Sequence, residues 1–220
     1  MLFSGRMIAS YSHNFIFLKT RKVGGTSLEI VLSSWCRDRD ICSPVLPEDE
    51  ELRQQMGGSA RNFSDAEGKV RFYHHMPAGE VKAELPDLWS QAFKFSVDRH
   101  PYEKVVSRAW WNIGRRNGNP DAELGPEIEK AIRRRSYLNH SIYMIDGRLA
   151  VDELWPYEQM WERLRELAGR LGLPAPVEQP RAKAQYRRDR TPAREALSVE
   201  QRERIYRDAR VEFDLLGYEP

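Results

Sequence analysis

Residues 15–29, Phe-Ile-Phe-Leu-Lys-Thr-Arg-Lys-Val-Gly-Gly-Thr-Ser-Leu-Glu, constrain this chain more than any other stretch. Phe15 to Leu18 is a short apolar run suited to a buried strand. Leu28, Val31, Leu32 and Trp35 recur at helical spacing, so an amphipathic helix is expected to begin near Thr26. Between strand and helix stand Lys19, Arg21 and Lys22, followed by Gly24 and Gly25. The glycines let the backbone turn sharply and bring its N–H groups close to an anion. The helix N-terminus adds its own donors and a partial positive charge. Lys22 contributes a point charge, and Thr26 and Ser27 contribute hydroxyls, so the loop suits a phosphate-like anion. A Walker loop would place its lysine after the glycines and a hydroxyl next to it for magnesium. Here Lys22 precedes Gly24 and Gly25, and that motif is not met.

A second segment, residues 91–111, repeats the strand-to-helix pattern. Phe93, Phe95 and Val97 alternate as in a strand, Pro101 stands where a first helical residue belongs, and Val105, Ala109 and Ile113 share one helical face. Arg99 falls at the strand end, and Ser107 about two turns into the helix. Lys-x-Gly-Gly-Thr-Ser after a strand resembles the 5′-phosphosulfate loop of sulfotransferases that use 3′-phosphoadenosine 5′-phosphosulfate (PAPS). A phenylalanine-rich strand, an arginine before x-Pro-Tyr and a serine eight residues after that arginine resemble the same family's 3′-phosphate motif. The resemblance, closest to the carbohydrate-type enzymes, implies a three-layer α/β/α fold with a central parallel sheet, related to the P-loop NTPases. Early strand–helix units followed by helices suggest the same architecture. It further implies that Lys22, Gly24, Gly25, Thr26 and Ser27 hold the phosphosulfate end of PAPS, and that Arg99 and Ser107 hold the ribose 3′-phosphate. An arginine suits that task because its planar fork joins charge to directed donors. The chain departs from the family pattern at Arg21 and Val23, where proline and threonine are usual, and at His100, where asparagine is usual.

Sulfuryl transfer needs a base for the acceptor hydroxyl and electrostatic support for the leaving phosphate. No metal is required, because the sulfur centre already carries its charge. Of the histidines, His74 and His75 end an expected strand over 70–74 and precede Met-Pro-Ala. Strand ends face the crevice in a parallel α/β sheet, and neighbouring strand residues point opposite ways. Phe-Tyr-His-His-Met-Pro-Ala resembles the family segment that carries a catalytic histidine, which selects His75 as the base; the loop resemblance makes Lys22 catalytic as well, beside the bridging oxygen where charge grows during transfer.

The rest of the chain bounds the picture. Its 220 residues fit one domain, taken as residues 1–220, and a formal net charge of +2 makes no case for nucleic acid by itself. No run approaches a membrane span, and the first ten residues lack a signal-peptide core, so a cytoplasmic enzyme is expected. Cys36 and Cys42 are read as free thiols, with one disulfide left open. Residues 44–68 read as a loop with a short helix, 78–89 as a helix interrupted at Pro86, and 114–125 as a mobile loop. Helices are expected over 126–135, over 155–171 with Gly172 as stop, and after a Ser198/Gln201 capping box. Residues 181–194 hold a basic run in which Lys183 and Arg187 would close over the nucleotide, as late basic segments do in sulfotransferases. The expected partners are the small-molecule nucleotide, whose product is adenosine 3′,5′-bisphosphate, and a hydroxyl acceptor on a glycan or glycolipid. Trp35, Trp89, Trp110 and Trp111 could offer a sugar stacking faces, although tryptophans at helical spacing are more often core. Two alternatives stand beside this: a nucleic-acid-backbone binding protein using 181–194, and a nucleotide-dependent kinase-like enzyme.

Overall fold

The computed structural model describes residues 7–73, 75–117, 123–174, 180, 189 and 191–220. In chain order it contains β1 (Ile8–Ser10), β2 (Phe15–Leu18), α1 (Gly25–Trp35), β3 (Ile41–Cys42), α2 (Pro47–Gln55), α3 (Ala78–Glu84), α4 (Pro86–Gln91) and β4 (Phe93–Asp98). There follow α5 (Pro101–Trp111), which continues as a π-helix over Asn112–Asn117, α6 (Leu124–Arg133), α7 (His140–Tyr143), β5 (Met144–Ile145), β6 (Arg148–Leu149) and β7 (Glu153–Pro156). A 3₁₀ turn (Tyr157–Gln159), α8 (Met160–Leu171), α9 (Ala193–Ala196) and α10 (Val199–Leu216) complete the described elements. Two compact units divide them. The first comprises Met1–Thr20, Gly24–Val97 and Ser141–Ala182; the second comprises Arg21–Val23, Asp98–His140 and Lys183–Pro220.

The first unit is mixed α/β, built on a sheet of order β3-β1-β2-β4-β7. β2 is buried throughout and alternates between two apolar faces. Ile16 and Leu18 join Met7, Val81, Leu88 and Trp89, while Phe15 and Phe17 lie against Phe95. Strands apolar on both sides belong to the interior of a sheet with both faces covered. β2 and β4 run parallel in the register Phe15↔Phe93 to Leu18↔Ser96, so both C-terminal ends lie at one edge of the sheet. The sheet as a whole is mixed rather than parallel, because β1 is antiparallel to β2 and to β3. Three residues before a polar turn gave β1 too little pattern to be read from sequence.

Other expectations are corrected here. Residues 70–73 form no strand; Val70 makes only an isolated bridge to Ser64. Trp155 does not begin a helix but lies in β7, where its indole stacks on Phe95 with centroids 4.2 Å apart; the helix starts at Met160 and stops at Gly172 (φ 65°) as expected. α1 is not amphipathic: Gly25 to Ser33 and Trp35 are all buried. Residues 114–117 are π-helical rather than loop, and 118–122 lie outside the described residues. α3 and α4 appear as expected on either side of Leu85, and Cys36 and Cys42 are buried and free.

The second unit is helical. Tyr102, Val105 and Ala109 of α5 pack with Ile128 and Ile132 of α6 and with Ile205, Ala209 and Phe213 of α10. The Ser198/Gln201 capping box forms, and Gly217 (φ 66°) ends α10. Among the described residues no helix is long and apolar enough to cross a membrane.

Candidate functional site

In the first unit the chain leaves β2 and enters the head of α1. Gly24 is the N-cap, at φ 66°, a conformation that costs L side chains energy. A Cβ there would also come within 3.2 Å of the Tyr157 ring. At Gly25 a Cβ would meet Lys19 side-chain carbons at 3.1 Å, so a larger residue there would push the Lys19 side chain aside. The first turn of α1 holds Thr26 and Ser27 and no acidic residue, so nothing in that turn repels an anion.

Sequence reasoning missed the role of Lys19. It is buried, its ammonium donates to Thr26 Oγ1 at 3.1 Å and it forms an ion pair with Glu29 one turn further along α1. Accepting this bond occupies a lone pair of the Thr26 hydroxyl, not its proton. The Lys19 charge is thereby balanced inside the unit. The apolar periodicity of α1 could not reveal Glu29 as a buried partner, because a glutamate in a helix is ordinarily solvated.

His75 sits in a turn at φ 58°, not at a strand end. It nonetheless reaches the end of a strand: its Nδ1 lies 2.9 Å from the carbonyl oxygen of Lys19, the residue after β2. A carbonyl can only accept, so Nδ1 carries the hydrogen and Nε2 is the basic nitrogen of the neutral ring. That is the tautomer a general base needs, with a fixed orientation. The partner residue His74 lies outside the described residues.

In the second unit are Lys22, Arg99 and Ser107. Lys22 has φ 62°, and its ammonium lies 5.4 Å from the Trp111 ring centroid; Arg108 lies 5.5 Å from the same ring. Non-glycine residues in this region persist only where their surroundings hold them, and such strain clusters at functional sites. Trp111 is therefore a platform for cations. Trp35 and Trp89 are buried core residues, and Trp110 is partly buried against the helical core.

Arg99 donates to Glu103 Oε2 at 2.9 Å, an ion pair only 19% and 24% exposed. Glu103 and Ser107 follow one turn apart along the same stripe of α5. An anion held by Arg99 and Ser107 would therefore share Arg99 with the Glu103 carboxylate, which also accepts from the Ala193 N–H. His100 serves as the helix cap: its Nδ1 accepts from the Tyr102 N–H at 3.2 Å.

Below Arg99 is a buried charge network that the sequence did not disclose. Asp98, Lys104, Asn139 and Glu212 are all fully buried. The Lys104 ammonium donates to Asp98 Oδ1 at 2.8 Å and to Glu212 Oε2 at 2.5 Å. Burial pushes the Asp98 carboxyl up, with Lys104 and Asn139 opposing. Burial would also raise Glu212, but Lys104, His140 and the Asn139 N–H together bring it down to about 2. Lys183 and Arg187, expected to close over a nucleotide, lie outside the described residues. Compared with protein-family models, with curated proteins and with solved structures, the chain matches none.

Proposed function

We propose that the chain is a PAPS-dependent sulfotransferase that moves the sulfuryl group to a hydroxyl, on a carbohydrate acceptor. The observation that carries this is the head of α1: a left-handed glycine N-cap, two hydroxyls and no acid in the first turn. The parallel pairing of β2 and β4 adds support. It sets the strand ends from which the two motif segments depart at one edge of the sheet, as ligand sites in α/β proteins require. A three-layer, P-loop-like arrangement of the complete chain belongs to the same proposal.

In the reaction, the acceptor oxygen attacks sulfur in line while the bond from sulfur to the 5′-phosphate oxygen breaks. The acceptor proton passes to His75 Nε2, and adenosine 3′,5′-bisphosphate leaves. Lys22 supports the negative charge that grows on the bridging oxygen, with Thr26, Ser27 and the amides of Gly24 and Gly25 holding the phosphosulfate. Arg99 and Ser107 hold the 3′-phosphate, which does not react.

Thermal unfolding in the presence of three ligands tests the proposal. Adenosine 3′,5′-bisphosphate should raise the melting temperature without magnesium and by more than either Mg-ATP or an oligonucleotide. A shift only with Mg-ATP would indicate a kinase-like enzyme. A shift only with the oligonucleotide, collapsing steeply with salt, would indicate a nucleic-acid binder.

A further inference from the structure

Asn139 is fully buried in the connection between α6 and α7, and its carboxamide meets the backbone of Arg21 on both sides. The Arg21 N–H donates to Asn139 Oδ1 at 2.9 Å, and Asn139 Nδ2 donates to the Arg21 carbonyl oxygen at 3.0 Å. Nδ2 also donates to Asp98 Oδ1 at 2.8 Å. Only one orientation of the amide serves all three contacts, since the flipped one would set donor against donor at the Arg21 N–H. The Asn139 main-chain N–H donates in turn to Glu212, and Asp98 Oδ1 also accepts from the N–H of Arg99 at 2.8 Å. Asn139 thus pairs with Arg21 much as a neighbouring strand would, 118 positions away in sequence.

We infer that Asn139 is a positioning residue, clamping the backbone beside Lys22 and linking it through the Asp98 carboxylate to the main-chain N–H of Arg99. This rests on the nucleotide roles proposed for Lys22 and Arg99. Two observations favour a positioning role over a purely stabilising one. Buried ionic networks are seldom more stabilising than a packed apolar core, so their best-attested use is to fix one arrangement against others. The strained φ of Lys22 also requires an anchored neighbour, and the clamp provides one on the residue immediately before it. With the Lys22 ammonium over Trp111, the loop is held by backbone at Arg21 and by side chain at Lys22.

Hydrogen exchange on the full chain, read residue by residue, tests the clamp without any substitution. The Arg21 amide should exchange at least ~100-fold more slowly than in an unstructured peptide, although it lies in a loop. In Asn139→Ala that protection should fall about tenfold or more, while the amides of Phe17 and Phe95 keep theirs. Two probes then separate positioning from general destabilisation. Asn139→Ala should weaken adenosine 3′,5′-bisphosphate by about tenfold, because the 5′ side loses its loop, and leave adenosine 3′-monophosphate nearly unchanged. An unprotected Arg21 amide in the wild type overturns the inference, even if the variant does not fold. So does a folded Asn139→Ala protein with wild-type affinity for the bisphosphate, or with equal losses for both probes. If neither probe binds the wild type, the nucleotide roles fail, and with them the site the clamp was inferred to position, whatever the amide shows.

Discussion

α1 and α5 both begin at the end of a strand, and their first turns handle charge in opposite ways. The head of α1 has a glycine N-cap without a side-chain cap bond, and no acid in its first turn. Its nearby cation, Lys19, is already neutralised by Glu29, so any attraction of this helix head for an anion comes from the helix itself and its hydroxyls. The head of α5 is capped by His100 and carries Glu103, which holds Arg99 in an ion pair. The first arrangement has no carboxylate in its first turn for an anion to displace. The second offers a strong cation that already shares one terminal nitrogen with a carboxylate. A group that reacts is better served by the pre-organised head, and a group that anchors by the strong but exchangeable one.

Substitutions on the two sides should therefore fail in different ways. The largest effect is expected at His75, beside the α1 loop. His75→Asn tolerates the positive φ and keeps a donor for the Lys19 carbonyl, yet it should lower turnover by ~10²–10⁴ with bisphosphate affinity held. Lys22→Ala should likewise act on turnover more than on affinity, by roughly 10²–10³. Equal losses in affinity with unchanged turnover would reverse the roles assigned to the two helices. Arg99→Ala should weaken the bisphosphate by roughly 2–4 kcal/mol in a calorimetric titration, as for a charge pair removed from solvent.

The buried network under α5 adds a pH signature. Glu212 is held near 2 in the folded chain against 4.5 for the ordinary group, so its contribution is complete above about 4.5 and disappears as pH falls toward 2. Asp98 runs the other way, because a raised carboxyl takes up its proton first in the folded state and softens the slope. Urea unfolding between pH 5 and about 2 should show stability falling, and a folded Glu212→Gln should lose most of that slope. The smallest effect belongs to Glu103→Gln. Releasing Arg99 from a partly exposed ion pair is worth about 0.2–1 kcal/mol, so bisphosphate binding should tighten at most several-fold. Weaker binding would show that Glu103 orients Arg99 rather than competing for it.

Local pattern made much of this legible. The four-residue apolar run of β2, the Phe-x-Phe alternation of β4, Pro101 and the Ser198/Gln201 box each state an element in a few neighbouring residues, and each forms there. Elements decided by distant contacts were not legible. Trp155 is drawn into a strand by its stack on Phe95, and 70–73 has the composition of a strand but finds only a single bridge. At the candidate site, glycine and cation spacing pointed to the loop before α1, and the family resemblance pointed to Arg99. The partners Glu29, Asp98, Lys104, Asn139 and Glu212 were hidden, because burial of a polar side chain is a property of the assembled fold. The strand end expected before His75 does not form, and its ring is instead fixed by the Lys19 carbonyl just beyond β2.

The central claim is that Arg99 serves a 3′-phosphate and the α1 loop a 5′ group. It is tested most directly by titrating adenosine 3′,5′-bisphosphate and adenosine 5′-monophosphate into the wild type and Arg99→Ala. Removing the 3′-phosphate and removing Arg99 should each cost affinity, and the double removal should cost little more than either alone, a coupling of about 2 kcal/mol or more. Additive losses would contradict the assignment, and so would a bisphosphate that binds no better than the monophosphate.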